Sequence, residues 1–217
     1  MKDNYLLITI YGIGLLTGLI INKADAQVPP TYKLIGAKYG VDPALMYAVA
    51  HVESGKKNAT GLFMPWPWTA NICDKSPGKN CKGHFFKTRE ALYERLIAEL
   101  ARGNDWFDVG QVQMNWHFHG NRFGYDLWLA THPLVNLNQA AGLLKELQQR
   151  HKSKKEIFAA YHAGSGWKTK ARSQARINQI LSYANTANKH YTRIVENEIK
   201  NEIKNKIQYT DTLATVP

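Results

Sequence analysis

The run His51-Val52-Glu53-Ser54-Gly55 closes an apolar stretch that Asp42-Pro43 opens. A carboxyl at such a place is pressed toward its neutral form twice. Desolvation disfavours the anion, and the negative end of a helix repels it. A carboxylic acid still protonated near neutral pH is what general acid catalysis needs. Taken alone, a Glu near a helix end is most often an exposed surface residue. Two later segments add complementary groups. Asp108-Val-Gly-Gln-Val-Gln113-Met-Asn115-Trp116 mixes small, amide and aromatic residues. Amides can hold sugar hydroxyls and N-acetyl groups, and Trp stacks on the apolar face of a sugar. Ala159-Ala160-Tyr161-His162-Ala163-Gly164 sets a phenol and an imidazole beside glycine, where a polymer can approach the backbone.

The elements that must position these groups read as helices. Tyr32 to Tyr39 forms a short helix stopped by Gly40. Asp42 caps the next, with Pro43 at its first position, and Leu45, Met46, Val49 and Val52 make its buried face. Thr88 caps a third helix, with Leu92, Leu96, Ile97 and Leu100 inside and Gly103 as its stop. Asn136 opens a fourth, with Ala140, Ala141, Leu144 and Leu147 inside. Ser153 to Glu156 is a capping box for a fifth, which carries Ile157, Phe158 and Tyr161 and ends at Gly164 and Gly166. No alternating run bounded by hairpin turns stands out, so strands are a minor feature. Val195, Ile199, Ile203 and Ile207 recur every four residues among Lys, Asn and Glu. That segment reads as a solvated helical extension with a thin apolar stripe and a polar tail from Tyr209.

With 44% hydrophobic and 21% charged residues, the 217-residue chain can bury a core. Its formal charge of +11 favours an acidic partner. No zinc-finger spacing or continuous basic helix accompanies that charge, so no nucleic acid is expected as partner. Lys2 precedes an apolar run from Tyr5 to Ile21, followed by Ala24-Asp25-Ala26. This is the pattern of a signal peptide over 1–26 with cleavage after Ala26, which places the protein in the periplasm. The competing reading is an uncleaved anchor; the run sits at the short edge of the roughly 17–25 residues that span a bilayer. Membrane contact is expected only through that segment. In an exported chain Cys73 and Cys81 read as a disulfide closing a short turn-rich loop. A metal reading would add His84, but three ligands without a fourth make a poor zinc site. No metal and no cofactor are expected.

The three segments, in this order, resemble the catalytic domain of the lytic transglycosylases, which share the goose-type lysozyme fold. In that family a catalytic Glu followed by Ser ends an apolar helix, here Glu53-Ser54. A Gly-Leu-Met-Gln motif follows; Gly110-Gln111-Val112-Gln113 agrees at both ends and departs at the middle two positions. A register ending at Gln111 is the alternative, but it loses Gly110 from the glycine position. An Ala-Tyr-Asn-Ala-Gly motif comes next; Ala160-Tyr161-His162-Ala163-Gly164 has His in place of Asn. The resemblance runs from about Tyr32 to Ile194. It implies a mainly α, lysozyme-like domain with a substrate groove over 27–194, an insertion at about 60–105, and a charged extension over 195–217. Pro65 to Asn71 and Phe86 to Ala91 are similar to a subgroup carried by conjugative and integrative elements and by type IV secretion systems, so that machinery is an expected partner.

The resemblance implies peptidoglycan glycan strands as substrate and cleavage of the β-1,4 bond between N-acetylmuramic acid and N-acetylglucosamine. The product is a 1,6-anhydromuramoyl end. Glu53 is implied as the one acid and base, Tyr161 as a group near the reacting bond, and Gly110, Gln113, Asn115 and His162 as substrate contacts. Ser54 is expected to support Glu53 by a hydrogen bond and not to act as a nucleophile, since no His/Asp pattern accompanies it. Stem peptides carry carboxylates, which gives the positive charge an acidic polymer to meet. Ordinary glycosidases use two carboxylates. Asp105 and Asp108 lie close to the Gln motif, so a hydrolytic lysozyme-like muramidase is the alternative. A wall-binding module without activity and a nucleic-acid-binding accessory of a DNA transfer system are the rival classes. His117 and His119, two apart, are expected to face opposite ways on a strand. Trp66 and Trp68 serve equally as packing of the insertion or as subsite walls.

Overall fold

The computed structural model describes residues 27–74, 80–171 and 173–214, with backbone alone over 209–214. The segment 1–26, with its cleavage site, lies outside the described residues. Among the described residues no helix is long and apolar enough to cross a membrane.

Helix α1 (Pro30–Tyr39) ends at Gly40 in the left-handed conformation, and α2 (Pro43–Ser54) follows at once. The Asp42 carboxylate accepts from the Ala44 N–H at 2.9 Å, which satisfies one of the orphan donors of the first turn. Leu45, Met46, Tyr47, Ala48, Val49 and Ala50 are all almost fully buried. So α2 hides more than the one face its periodicity suggests. It is the apolar centre of the domain, enclosed by α1, by α6 (Pro133–Arg150) and by α9 (Gln174–Ala214). Burying each of its large aliphatic side chains stabilises the fold by about 1.5–3 kcal/mol.

A hairpin of β1 (Gly55–Lys57) and β2 (Phe63–Pro65) leaves the end of α2. Strands β3 (Thr69–Ile72), β4 (Lys82–Phe85), β5 (Phe107–Val109) and β6 (Met114–Asn115) form an antiparallel sheet in the order β4-β3-β5-β6. Its register decides the site. Ala70, Ile72, Phe107, Val109 and Met114 point to the core, and each is at least 93% buried. Gly83, Asn71, Asp108 and Asn115 pair in one row on the opposite face. Cys73 and Cys81 are bonded, S–S 2.02 Å, just beyond the paired ends of β3 and β4.

Helix α3 (Arg89–Ala101) is capped by Thr88, whose hydroxyl accepts from Ala91 N–H at 3.2 Å. It buries only Leu92, Leu96 and Glu99. Ile97, expected inside, is 41% exposed, because the short α5 (Leu127–Ala130) covers only a narrow face of this helix. Buried Glu99 pairs with Arg95 and Arg102 and accepts from Asn104 at 2.9 Å. Asn104 also donates to the Cys73 carbonyl, tying the insertion to its disulfide.

His117 and His119 lie on the short helix α4 (Trp116–His119), not on a strand, because the Asn115 side chain accepts from Phe118 N–H and starts a turn there. Helix α6 begins at Pro133 and not at Asn136. Asn136 is wholly buried inside it and donates to the Val109 and Ala130 carbonyls at 3.0 and 3.2 Å. Helix α7 (Lys154–Ala163) has Ser153 as its cap, and α8 (Trp167–Lys170) is one turn. Helix α9 packs along α2 and α7 and runs unbroken past residue 194. Glu198 accepts from the Val28 N–H and from Lys33, so the packing continues beyond the sequence boundary. Ile199, Ile203 and Ile207, further along, are exposed.

Candidate active site

Glu53 sits one residue before the end of α2, where the helix gives way to β1. Three elements converge on it. From α9 the Tyr183 hydroxyl donates to Glu53 Oε1 at 2.5 Å. From the sheet, Asp108 is close enough for its charge to act on Glu53, and from α7 the Tyr161 ring lies in the field of both carboxyls. Burial pushes the Glu53 pKa up to about 8; the Tyr183 hydrogen bond opposes the rise, and the Asp108 carboxylate adds to it. At neutral pH Glu53 therefore holds its proton.

Asp108 is placed by its neighbours in the strand row. Asn71 Nδ2 donates to Oδ2 at 3.1 Å and Asn115 Nδ2 to Oδ1 at 2.8 Å. Burial raises its pKa as well, while the two amides favour the anion. The two carboxyls thus stand in different surroundings: Glu53 meets a phenol and Asp108 meets two amides. Asp105, the other acidic candidate, is engaged by His117 Nδ1 at 2.8 Å at an exposed position.

The turn 110–113 between β5 and β6 is tied on every side. Gly110 has φ 79°, and a Cβ there would come within 2.5 Å of the Asn136 side chain, so both conformation and space call for glycine. Gln113, also at positive φ, donates its amide to the Gly110 carbonyl at 2.7 Å and the Thr69 carbonyl at 3.3 Å. Gln111 accepts from the Tyr32 hydroxyl and donates to the Pro133 carbonyl, both at 3.0 Å. The Tyr161 hydroxyl donates to the Val112 carbonyl at 2.7 Å. Ser54 Oγ lies 2.6 Å from the Gln111 carbonyl and 3.0 Å from that of Ala50. Its proton goes to backbone oxygen and not to the Glu53 carboxylate. Ser54 therefore supports Glu53 through the turn it holds.

His162 stacks on Tyr183, ring centroids 4.3 Å apart and nearly parallel. Burial, with Arg176 contributing, lowers its pKa to about 4, so it is a neutral ring at physiological pH. Of the sequence candidates, Tyr161 lies in the field of Glu53, and His162 reaches it only through Tyr183, on which it stacks. Gly110, Gln113, Asn115 and Ser54 build the turn and row beneath the carboxyl. Tyr183, the direct partner of Glu53, is 130 residues away in sequence and belongs to no motif. Asn71, in the segment Pro65 to Asn71, has no sequence signal of its own for its role of donating to Asp108. Among the described residues no cluster of three or more His, Cys, Asp or Glu could hold a metal ion.

A mainly helical, lysozyme-like domain thus presents a carboxyl with a raised pKa from its central helix beside a polar sheet face. The family model of the transglycosylase SLT domain matches residues 32–184, and the chain belongs to that family. This membership places it with the lytic transglycosylases and gives peptidoglycan as the substrate class. No curated protein and no solved structure matches the chain.

Proposed function

We propose that Glu53 is the single acid and base of a non-hydrolytic cleavage of peptidoglycan strands. The observation that carries this is a carboxyl with a pKa near 8, held at one oxygen by Tyr183. Tyr183 occupies Oε1, which leaves Oε2 to carry the proton toward substrate. Glu53 gives that proton to the oxygen of the β-1,4 bond, and the N-acetylglucosamine side leaves as an alcohol. Positive charge then develops at the muramoyl C1. The new Glu53 carboxylate takes the proton of the muramoyl C6 hydroxyl as O6 attacks C1 and closes the 1,6-anhydro ring. Glu53 ends protonated again, and no water is consumed. Asp108, held in place by Asn71 and Asn115, whose amides favour its anion against the burial that opposes it, faces the developing charge and stabilises it. Tyr161 fixes the turn that joins the strand of Asp108 to that of Asn115.

One observation favours a second reading. Asp108 stands beside Glu53, and two carboxyls in one site are the usual equipment of a glycosidase. In that case Asp108 would direct a water to C1. Burial outweighs the two amides and raises its pKa, but both its oxygens are already engaged by Asn71 and Asn115 and are not placed to aim a water, so we favour the anhydro route. The product separates the two: an anhydro end against a reducing end.

Export to the periplasm with cleavage after Ala26, and service to a conjugation or secretion apparatus, complete the proposal. Their support is the apolar N-terminal run and the likeness of Pro65 to Asn71 and Phe86 to Ala91 to that subgroup. Loss of wall cleavage in Glu53→Gln, with folding kept, tests the acid role. A cleavage rate within tenfold of the unaltered protein would remove Glu53 from it.

A further inference from the structure

The polar row of the sheet continues past Asp108. Asn71 on β3 pairs with Gly83 on β4, where a Cβ would meet nothing within 4 Å, so the surface is open there. Two residues on, Phe85 lies on the same face by strand alternation and is 45% exposed. The β1–β2 hairpin meets this edge. The Lys56 ammonium lies 5.0 Å from the centre of the Phe85 ring and 4.7 Å from that of Trp66. Trp66 is fixed: its indole N–H donates to the Phe86 carbonyl at 2.7 Å, and its backbone N–H to the Ser54 carbonyl at 3.0 Å. Lys56 is exposed, and among the described residues no carboxylate pairs with it. The last residue of the α2 backbone thus anchors this cluster, one position after Glu53.

Two aromatic faces and an unpaired ammonium suit a ligand that is part sugar and part acid. The rings take the C–H face of a pyranose, and the ammonium takes a carboxylate attached to it. We propose that Lys56, Trp66 and Phe85 form a subsite for the carboxylate-bearing substituent of the glycan strand, next to the bond that Glu53 cleaves. This rests on the reading of peptidoglycan as the substrate of Glu53. The carboxylate has two sources with one chemistry: the lactyl acid of a peptide-free muramoyl residue, or an acid of the stem peptide.

The test measures binding of Glu53→Gln protein, which does not turn over, with and without Lys56→Met. Three probes are used: neutral β-1,4-linked N-acetylglucosamine oligomers, peptide-free muramoyl strands, and strands with stem peptides. Lys56→Met is expected to weaken binding of acid-bearing strands about fivefold, the scale of an exposed charged contact. Binding of the neutral oligomers should stay within twofold, and Lys56→Arg should restore the loss. Loss on peptide-free strands alone assigns the lactyl acid, and loss on stem-bearing strands alone assigns the peptide. Unchanged binding of both acid-bearing probes overturns the subsite. So does an equal loss on all three probes, or no measurable binding to either acid-bearing probe. Failure of the parent reading looks different: protein with Glu53 intact would release no product from wall, whatever Lys56 does.

Discussion

Replacing Glu53 by Gln should stabilise the protein, and by an amount that grows with pH. Unfolded, this carboxyl titrates near its ordinary value of 4.5; folded, it titrates at about 8. Below pH 4.5 it is protonated in both states and contributes no pH dependence. Between 4.5 and 8 the unfolded chain releases the proton and the folded chain keeps it. Folding stability is therefore lost as pH rises through that window, at about 1.36 kcal/mol per pH unit. At pH 7 the window has been crossed by 2.5 pH units from the ordinary value, so the cost has reached about 3 kcal/mol. Above pH 8 it levels off near 5 kcal/mol as an upper bound, since water reaching this partly exposed group reduces it. Gln keeps an oxygen that can accept from Tyr183 and cannot ionise. For a chain of this size 1 kcal/mol moves the melting temperature by about 2–4 °C. Melting curves of both proteins should coincide near pH 4.5 and separate by about 6–12 °C at pH 7, the variant higher. A gap that is the same at both pH values, or the variant melting lower at pH 7, would refute the burial of an acid at this position.

The same electrostatics give opposite signs at its two neighbours. Tyr183→Phe removes a bond that favours the anion, so the alkaline limb of the pH–rate profile should move to higher pH; Asp108→Asn removes a like charge, so that limb should move to lower pH. Shifts in the same direction would deny these roles. Gly110→Ala should cost about 2–4 kcal/mol, from a strained positive φ and displaced Asn136 hydrogen bonds. Gly124→Ala, at φ 62° with nothing near its Cβ, should cost only about 1–2 kcal/mol in the same denaturation assay. Cys73→Ser with Cys81→Ser should cost about 2–3 kcal/mol, the value for so short a ring, and native protein should yield no free thiol under denaturing, non-reducing conditions.

What the sequence disclosed was what is local in the chain. Asp42-Pro43, Thr88 and Ser153 announce helix starts because a cap acts within three residues of itself. Glu53 could be singled out because both forces on it, the apolar helix and its terminus, are written in its own neighbours. Tyr183 could not, since it reaches Glu53 only through the packing of α9 on α2. The sheet escaped notice because its strands are two to four residues long, too short for alternation to declare itself. Without the sheet, nothing set Asp108 apart from Asp105. Asn136 reads as a helix start because its type favours caps; Pro133 is the true start signal, and Asn136 is spent inside on the Val109 and Ala130 carbonyls. Gln113 and Asn115 were legible as amides, but their present partners lie within the protein: the Gly110 and Thr69 carbonyls, and Asp108.

Mass spectrometry of the glycan fragments released from purified wall tests the central claim most directly. With Glu53 as the single acid and base, fragments should end in 1,6-anhydromuramic acid, and Glu53→Gln should release none of them. Fragments heavier by one water, with reducing muramic acid ends, would contradict the anhydro route and make Asp108 the partner of a hydrolysis.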